Sequence, residues 1–198
     1  MKVKKSQYLA ALQEELTFCP LDINTLQKLS LKLYDDPHYY CALFFDGIDD
    51  VVHGLQKMLD EDMTQTVACA TGGVTSKVKQ AVLMRLDTQG NNIATNRALY
   101  DYYLRHGKLL AMTRAAWNTA DSIWYAIGDR STDWNYYSKR TILATIYLAT
   151  LKDRVDERSD TEARLDARLH RIKVFSQARY KTEKILAKIP ILRMFLRN

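Results

Sequence analysis

The chain has 198 residues, 47% of them hydrophobic, which suits one domain, or one domain with a small appendage, around a sizeable core. Gly and Pro are scarce and no stretch alternates apolar and polar residues as a strand would, so the composition points to an all-α fold. The net charge of +6 is unevenly placed: residues 168–198 hold nine Lys and Arg against one acid, net +8, which leaves −2 for the rest and marks a local contact, not a uniformly cationic protein.

Lys2, Lys4 and Lys5 open the chain, but Gln13, Glu14 and Glu15 cut short the apolar stretch that follows. This is the pattern of neither a signal peptide nor a transit peptide, and the expected setting is the cytosol of a bacterium. Cys19, Cys41 and Cys69 form no even framework and no CxxC pair, so they are expected as small buried hydrophobes in a reducing compartment.

A first helix is expected from about Val3 to Leu16, broken at Cys19-Pro20. A second runs from about Ile23 to Leu33 with Asp22 as its cap. Asp35, Asp36 and Pro37 make a turn, a short helix covers His38 to Phe44, Asp46-Gly47 ends it, and a longer helix covers Ile48 to Met63. This order is that of a TetR-type DNA-binding region, so a TetR-like transcriptional regulator is the alternative function. Charge argues against it. Between Leu33 and Lys57 there is no Lys or Arg, but there are Asp35, Asp36, Asp46, Asp49 and Asp50. A DNA reader neutralises phosphates around its recognition helix, so no nucleic-acid partner is expected. Either a helix-turn-helix shape without DNA function or a plain small helical subdomain fits.

Thr71–Lys77 lacks phosphate-loop spacing and follows no strand, so it is expected as a loop, with Thr75 or Ser76 capping a helix that ends near Leu86. Gly90, Asn91 and Asn92 mark a turn, and a helix from about Ile93 to His106 is closed by Gly107. Asp50 and His53 make half of a carboxylate–histidine metal motif, but a di-iron bundle needs it twice, so no metal and no cofactor is expected. No Ser–His–Asp or Cys–His pattern supports catalysis, and no catalytic residue is assigned.

The most informative stretch is Trp117 to Tyr147. Trp117, Ala120, Asp121, Trp124 and Ile127 follow helical spacing, Gly128 can close the helix in the left-handed conformation, and Ser131, Thr132 or Asp133 can cap the next. After Arg140 comes the uncharged run Thr141–Leu151, too short to span a bilayer and so expected to be a central helix buried on all sides. Asp133, Tyr136, Arg140, Leu143 and Tyr147 share one helix face; Trp134, Tyr137, Thr141, Ala144 and Leu148 make the neighbouring one. Arg140 either anchors an anionic head group beside an apolar cavity or forks onto a nearby carboxylate with the aromatics as core.

Further on, residues 162–174 read as a helix rich in charge pairs with a solvated outer face. From about Gln177 to Leu196, apolar and basic residues interleave at helical spacing, as in an interfacial amphipathic helix, with Pro190 as a kink. Its expected membrane contacts are Lys181, Lys184, Ile185, Lys188, Ile189, Leu192 and Phe195. The alternative is a terminal helix docked on the domain with solvated lysines.

The segment Gly128-Asp-Arg-Ser-Thr-Asp-Trp-Asn-Tyr-Tyr-Ser-Lys-Arg140, preceded by Trp124 and followed by an apolar helix, resembles the Coq-nine family of ubiquinone (coenzyme Q) biosynthesis accessory proteins. Weaker similarity extends from about Val78 to Arg171, and after Leu151 the chain departs from the family into a charged run. The resemblance implies a TetR-like bundle, here of about nine to ten helices, and a lipid-binding cavity without catalysis. It also implies a partner, the di-iron demethoxyubiquinone hydroxylase. On that footing the expected lipid-binding residues are Arg140, Leu143, Ala144 and Tyr147, holding an isoprenoid quinone precursor or a phospholipid. The expected hydroxylase contacts are Asp133, Trp134, Tyr136 and Tyr137, with Asp133 and Tyr136 as the exposed pair. The expected parts are a helix-turn-helix-like subdomain (1–64), a lipid-binding domain (65–175) and a membrane-contact segment (176–198), peripheral on the cytoplasmic side of the inner membrane. The oligomeric state, monomer or homodimer, is open at this level.

Overall fold

A computed structural model describes residues 5–67, 70–87, 92–132 and 134–171. Eight helices follow in order: α1 (Lys5–Glu15), α2 (Ile23–Tyr34), α3 (Tyr39–Leu43), α4 (Ile48–Val67), α5 (Val74–Asp87), α6 (Asn92–Arg105), α7 (Leu109–Ala126) and α8 (Trp134–Val155). A further helical run covers 161–171. The described residues are all-α, with the TetR-type order of short helices leading into a long α4.

Local chemistry sets the early helix boundaries. Asp22 sits in extended geometry and accepts the Thr25 N–H at 2.8 Å, so it caps α2 as its sequence position implies. At the other end Asp35 adopts φ +57°, and its N–H returns to the Leu31 carbonyl at 3.0 Å. Tyr8 is fully buried and ties three helices together. Its hydroxyl donates to the Leu26 carbonyl at 2.9 Å and lies 3.1 Å from Ser30 Oγ, which in turn accepts the Tyr40 N–H at 3.2 Å. Burial pushes the Tyr8 hydroxyl up to about 12. Tyr39 stacks on Tyr34 at 3.9 Å, so the aromatics of the would-be recognition segment serve packing.

The long helix α4 belongs to two cores. Its first half packs with α1, α2, α3 and α6 around Leu12, Leu26, Phe44, Leu55, Leu59, Leu99 and Tyr102. Its last turns join α5, α7, α8 and the 161–171 run around Met63, Val82, Leu86, Ile123, Leu143, Tyr147 and Leu165. The expected boundary after residue 64 therefore falls inside α4, which runs to Val67, and α6 contributes to the first core. The boundary at 175/176 and the amphipathic segment lie outside the described residues, as do Cys69, Gly90 and Asn91.

Other expectations need correction. Helix α5 starts at Val74, so Thr75 and Ser76 lie within its first turn and are not its caps. Cys41 is exposed and Cys19 only half-buried, because they sit on the short α3 and on the loop after α1, outside both cores. Helix α8 is not wrapped on all sides: Thr141, Ile142 and Thr145 are exposed. Thr145 donates to its own helix, to the Thr141 carbonyl at 3.0 Å, so an uncharged residue here is satisfied without being buried.

The charged run after Leu151 extends α8 and docks the next helical stretch. Asp153 is buried and meets Arg168 Nη2 at 2.6 Å, Arg164 Nε at 3.0 Å and Arg158 Nε at 3.6 Å. Thr161, Leu165 and Leu169 turn inward at helical spacing beside it, so this stretch has a buried face as well as a solvated one. Burial works against the Asp153 carboxylate, but Arg168 and Arg164 outweigh it and hold its pKa below the usual range. Replacing Asp153 with Asn should cost about 1–2 kcal/mol of unfolding free energy, because the Arg158, Arg164 and Arg168 side chains left behind are 48%, 40% and 20% exposed and water replaces part of the loss. A urea midpoint equal to that of the wild type would mean that water, not Asp153, satisfies the arginines.

Candidate functional site: the corner between helices α7 and α8

The stretch singled out by its sequence builds the corner at which α7 turns into α8. Gly128 has φ +85°, with open space where a Cβ would stand, so backbone conformation alone favours glycine here. Its N–H reaches the Tyr125 carbonyl at 3.0 Å and the Asp129 N–H reaches the Trp124 carbonyl at 2.9 Å, which closes α7. The chain is thereby turned so that Asp129 lies against the first turns of α8.

Two carboxylates and two cations then interlock. Asp129 accepts from Lys139 Nζ at 2.7 Å and from Ser131 Oγ at 2.6 Å, with Arg140 Nη1 at 3.4 Å. Arg140 Nε pairs with Asp121 of α7, its Nη1 donates to the Tyr136 carbonyl at 3.1 Å, and its guanidinium lies 3.4 Å from the centre of the Tyr136 ring. The Tyr136 hydroxyl donates to the same Asp121 at 3.1 Å. Trp124 donates its indole N–H to the Lys139 carbonyl at 3.2 Å, and the Lys139 ammonium sits 5.3 Å from the Trp124 ring centre. Burial opposes the Asp129 carboxylate, yet Lys139, Ser131 and Arg140 together hold its pKa below the usual range.

Beneath this corner lies a second polar centre that the sequence reading missed. Arg85 of α5 is completely buried. Its Nε meets Asp60 of α4 at 2.6 Å, its Nη1 donates to Asn96 of α6 at 2.8 Å, and its Nη2 donates to Gln56 of α4 at 2.5 Å. Thr119 of α7 donates to Asp60 at 2.9 Å, and the Tyr147 ring of α8 lies 5.8 Å from the guanidinium. Burial works to lower the Arg85 pKa, but Tyr147 and Asp60 raise it on balance. Burial pushes Tyr147 up to about 12 against the opposing pull of Arg85. A signal was present: Val78, Ala81, Val82 and Arg85 share one helix stripe, and a cation on an apolar stripe demands a buried partner.

The expected site residues can now be placed. Arg140 is buried and committed to Asp121 and Asp129, which is the carboxylate fork left open as an alternative above. Leu143 and Ala144 are core. Tyr147 packs over Arg85 and borders an internal void of only about 10 Å³, no larger than a single water requires. In this structure the four side chains expected to hold a lipid therefore contact protein. Among the expected partner contacts the exposures are reversed. Tyr137 is 58% exposed, whereas Tyr136 is half-buried under Arg140, edge-on to Trp117 at 6.2 Å. The reason is the helix face: Tyr136 shares the packed stripe of Arg140, Leu143 and Tyr147. Trp134 begins α8, and Asp133 lies outside the described residues.

A broader cleft of about 920 Å³ opens between α4 and α7, lined among others by His53, Gln56, Asp60, Tyr103, Arg114 and Asn118. Asp50 borders it too and pairs with Lys5 at 3.4 Å.

Residues 110–176 match the family model described as COQ9, a stretch that begins in α7, contains the whole corner and covers about a third of the chain. This stretch is similar to the COQ9 family. The match supports a role in ubiquinone biosynthesis, in a family of accessory proteins. No curated protein and no solved structure matches the chain. No helix among the described residues is long and apolar enough to cross a membrane.

The two centres should respond differently to mutation. Arg85→Met leaves Asp60 buried without its cation and should cost about 3–5 kcal/mol. Arg140→Ala should cost less, about 2 kcal/mol, because Asp121 is 40% exposed and water replaces part of the loss. Equal losses in chemical denaturation would refute this ranking. Asp129 and Asp153, whose pKa values are depressed on folding, give stability that is present above the unfolded Asp value of about 3.9 and is lost as pH falls through their folded values. Thermal midpoints should therefore hold steady from pH 7 to about 5 and fall below about 4. A midpoint flat down to pH 2 would contradict the ion-pair assignment.

Proposed function

We propose that the protein is a non-catalytic accessory factor of ubiquinone biosynthesis that handles an isoprenoid quinone precursor, or a phospholipid in its place. It presents that lipid to the di-iron demethoxyubiquinone hydroxylase at the cytoplasmic face of the inner membrane. The observation that carries the proposal is where the COQ9-like stretch is closed and where it is open. Its inner face is sealed by the Asp121–Arg140–Asp129–Lys139 knot and the core behind Tyr147. Around the same corner Tyr125, Tyr137 and Ile142 are 77%, 58% and 42% exposed.

Large exposed apolar groups beside four interlocked charges suit contact with a partner or with a lipid chain. Aromatic residues of this kind carry much of the energy in protein interfaces. The knot keeps Tyr137 outward by fixing Tyr136 inward, so Arg140 acts on this surface through α8. Lipid contact by Arg140, Leu143, Ala144 and Tyr147 themselves requires α8 to move away from α7. The basic, apolar segment at residues 176–198 is assigned to the membrane surface by its sequence, and binding through it weakens as salt screens the cations.

Tyr137→Ser combined with Ile142→Ser should weaken capture of the hydroxylase by at least about tenfold with little change in thermal midpoint, since both side chains are largely outside the core. Capture equal to that of the unaltered chain would remove this surface from the docking site.

A further inference from the structure

A second cleft, of about 740 Å³, lies on another part of the molecule, between the loop after α1, one face of α6 and the end of α8. Arg97 and Arg105 approach it from α6 at a spacing of eight residues, two helical turns on one face. Arg154 comes from the last turn of α8 and Arg158 from just beyond it, where Glu157 at φ +56° turns the chain. Asp101 and Glu157 are the two acids in the lining, so four guanidinium groups face two carboxylates. The rest of the lining mixes Thr17 and Ser159 with apolar Leu16, Pro20, Ile93 and Ala94, and Phe18 is 88% exposed at its edge.

The arginines differ in how they are engaged. Arg97 meets Glu157 at 2.6 Å, and Arg158 makes only long contacts, 3.6 Å to Asp153 and 3.7 Å to Asp156. Among the described residues, Arg105 is held by a 3.4 Å bond to the Asp101 carbonyl of its own helix. Guanidinium forks match the geometry of phosphate oxygens and bind them bidentately. A cluster with this cation excess suits a phosphate group, and the exposed phenyl ring of Phe18 beside it offers a contact for an apolar body carrying that group.

We infer that the cleft between the α1–α2 loop, α6 and the end of α8 is a binding site for a phosphate group, with Arg105 and Arg158 as its ligands and Phe18 as its apolar edge. The inference stands apart from the α7–α8 corner and does not depend on the ubiquinone assignment. The phosphate can belong to a lipid head group or be free in solution, and the two sources differ in whether Phe18 contributes.

Calorimetric titration of the full chain tests this, with inorganic phosphate and with dihexanoyl phosphatidic acid below its micelle concentration. Both should bind saturably at one site. Arg105→Gln should weaken both by about tenfold, the scale of one lost charge-assisted contact. Lys57→Gln, a surface change elsewhere, should leave both unaltered. Tighter binding of the lipid, lost in Phe18→Ser, assigns the site to a head group; equal affinity of the two probes assigns it to free phosphate, and either result supports the site. Absence of saturable binding by both probes, or unchanged affinity in an Arg105→Gln chain with native circular dichroism, overturns it.

Discussion

The structure depends on one buried guanidinium. Arg85 carries a full charge into the interior, where an unpaired ion costs several kcal/mol, so its neighbours must supply oxygen acceptors. They come from different helices: Gln56 and Asp60 from α4, and Asn96 from α6. Thr119 of α7 binds the same Asp60, and Tyr147 of α8 covers the cation. An apolar core of this size can be repacked by sliding helices past one another, but a guanidinium with directed bonds tolerates little displacement. The register of α5 against α4, α6, α7 and α8 follows from satisfying this one side chain.

With that register set, the α7–α8 corner is the next constraint. Asp121 and Asp129 alternate with Lys139 and Arg140, so the corner is neutral as a unit and each charge has an opposite neighbour. Tyr136 and Trp124 lie against the cations and shield them from water on one side. The geometry ties Asp121, Asp129, Lys139 and Arg140 to one another, while the apolar side chains of Tyr125, Tyr137 and Ile142 stay exposed on the same two helices. A rigid support under exposed apolar groups favours recognition, because little entropy is lost when a partner covers them.

Local signals were readable residue by residue. The Asp22 cap, the left-handed Gly128 and the turn at Gly107 each follow from chemistry confined to a few neighbours, and each is found in place. That Tyr136, Arg140, Leu143 and Tyr147 share one stripe of α8 was legible from spacing; that the stripe is packed, with Tyr136 turned inward, was not. What faces that stripe was not legible. Whether Arg140 meets a lipid or Asp121 depends on a helix that sequence spacing does not position. The same gap hid Asp153, which reads as one of many surface charges until Arg164 and Arg168 fold back onto it. Arg85 stands on a visible apolar stripe, but its acceptors Gln56, Asp60 and Asn96 come from α4 and α6, which sequence spacing does not bring to it.

The central claim, that this chain handles an isoprenoid lipid, is tested most directly by what it carries. Full-length protein purified from its own cells without detergent can be examined by native mass spectrometry, with its lipids extracted and identified in parallel. The account predicts one bound isoprenoid quinone or quinone precursor per chain, enriched over the lipids of the source membrane. A chain that carries no lipid, or carries phospholipids only in the proportions of the bulk membrane, would contradict it.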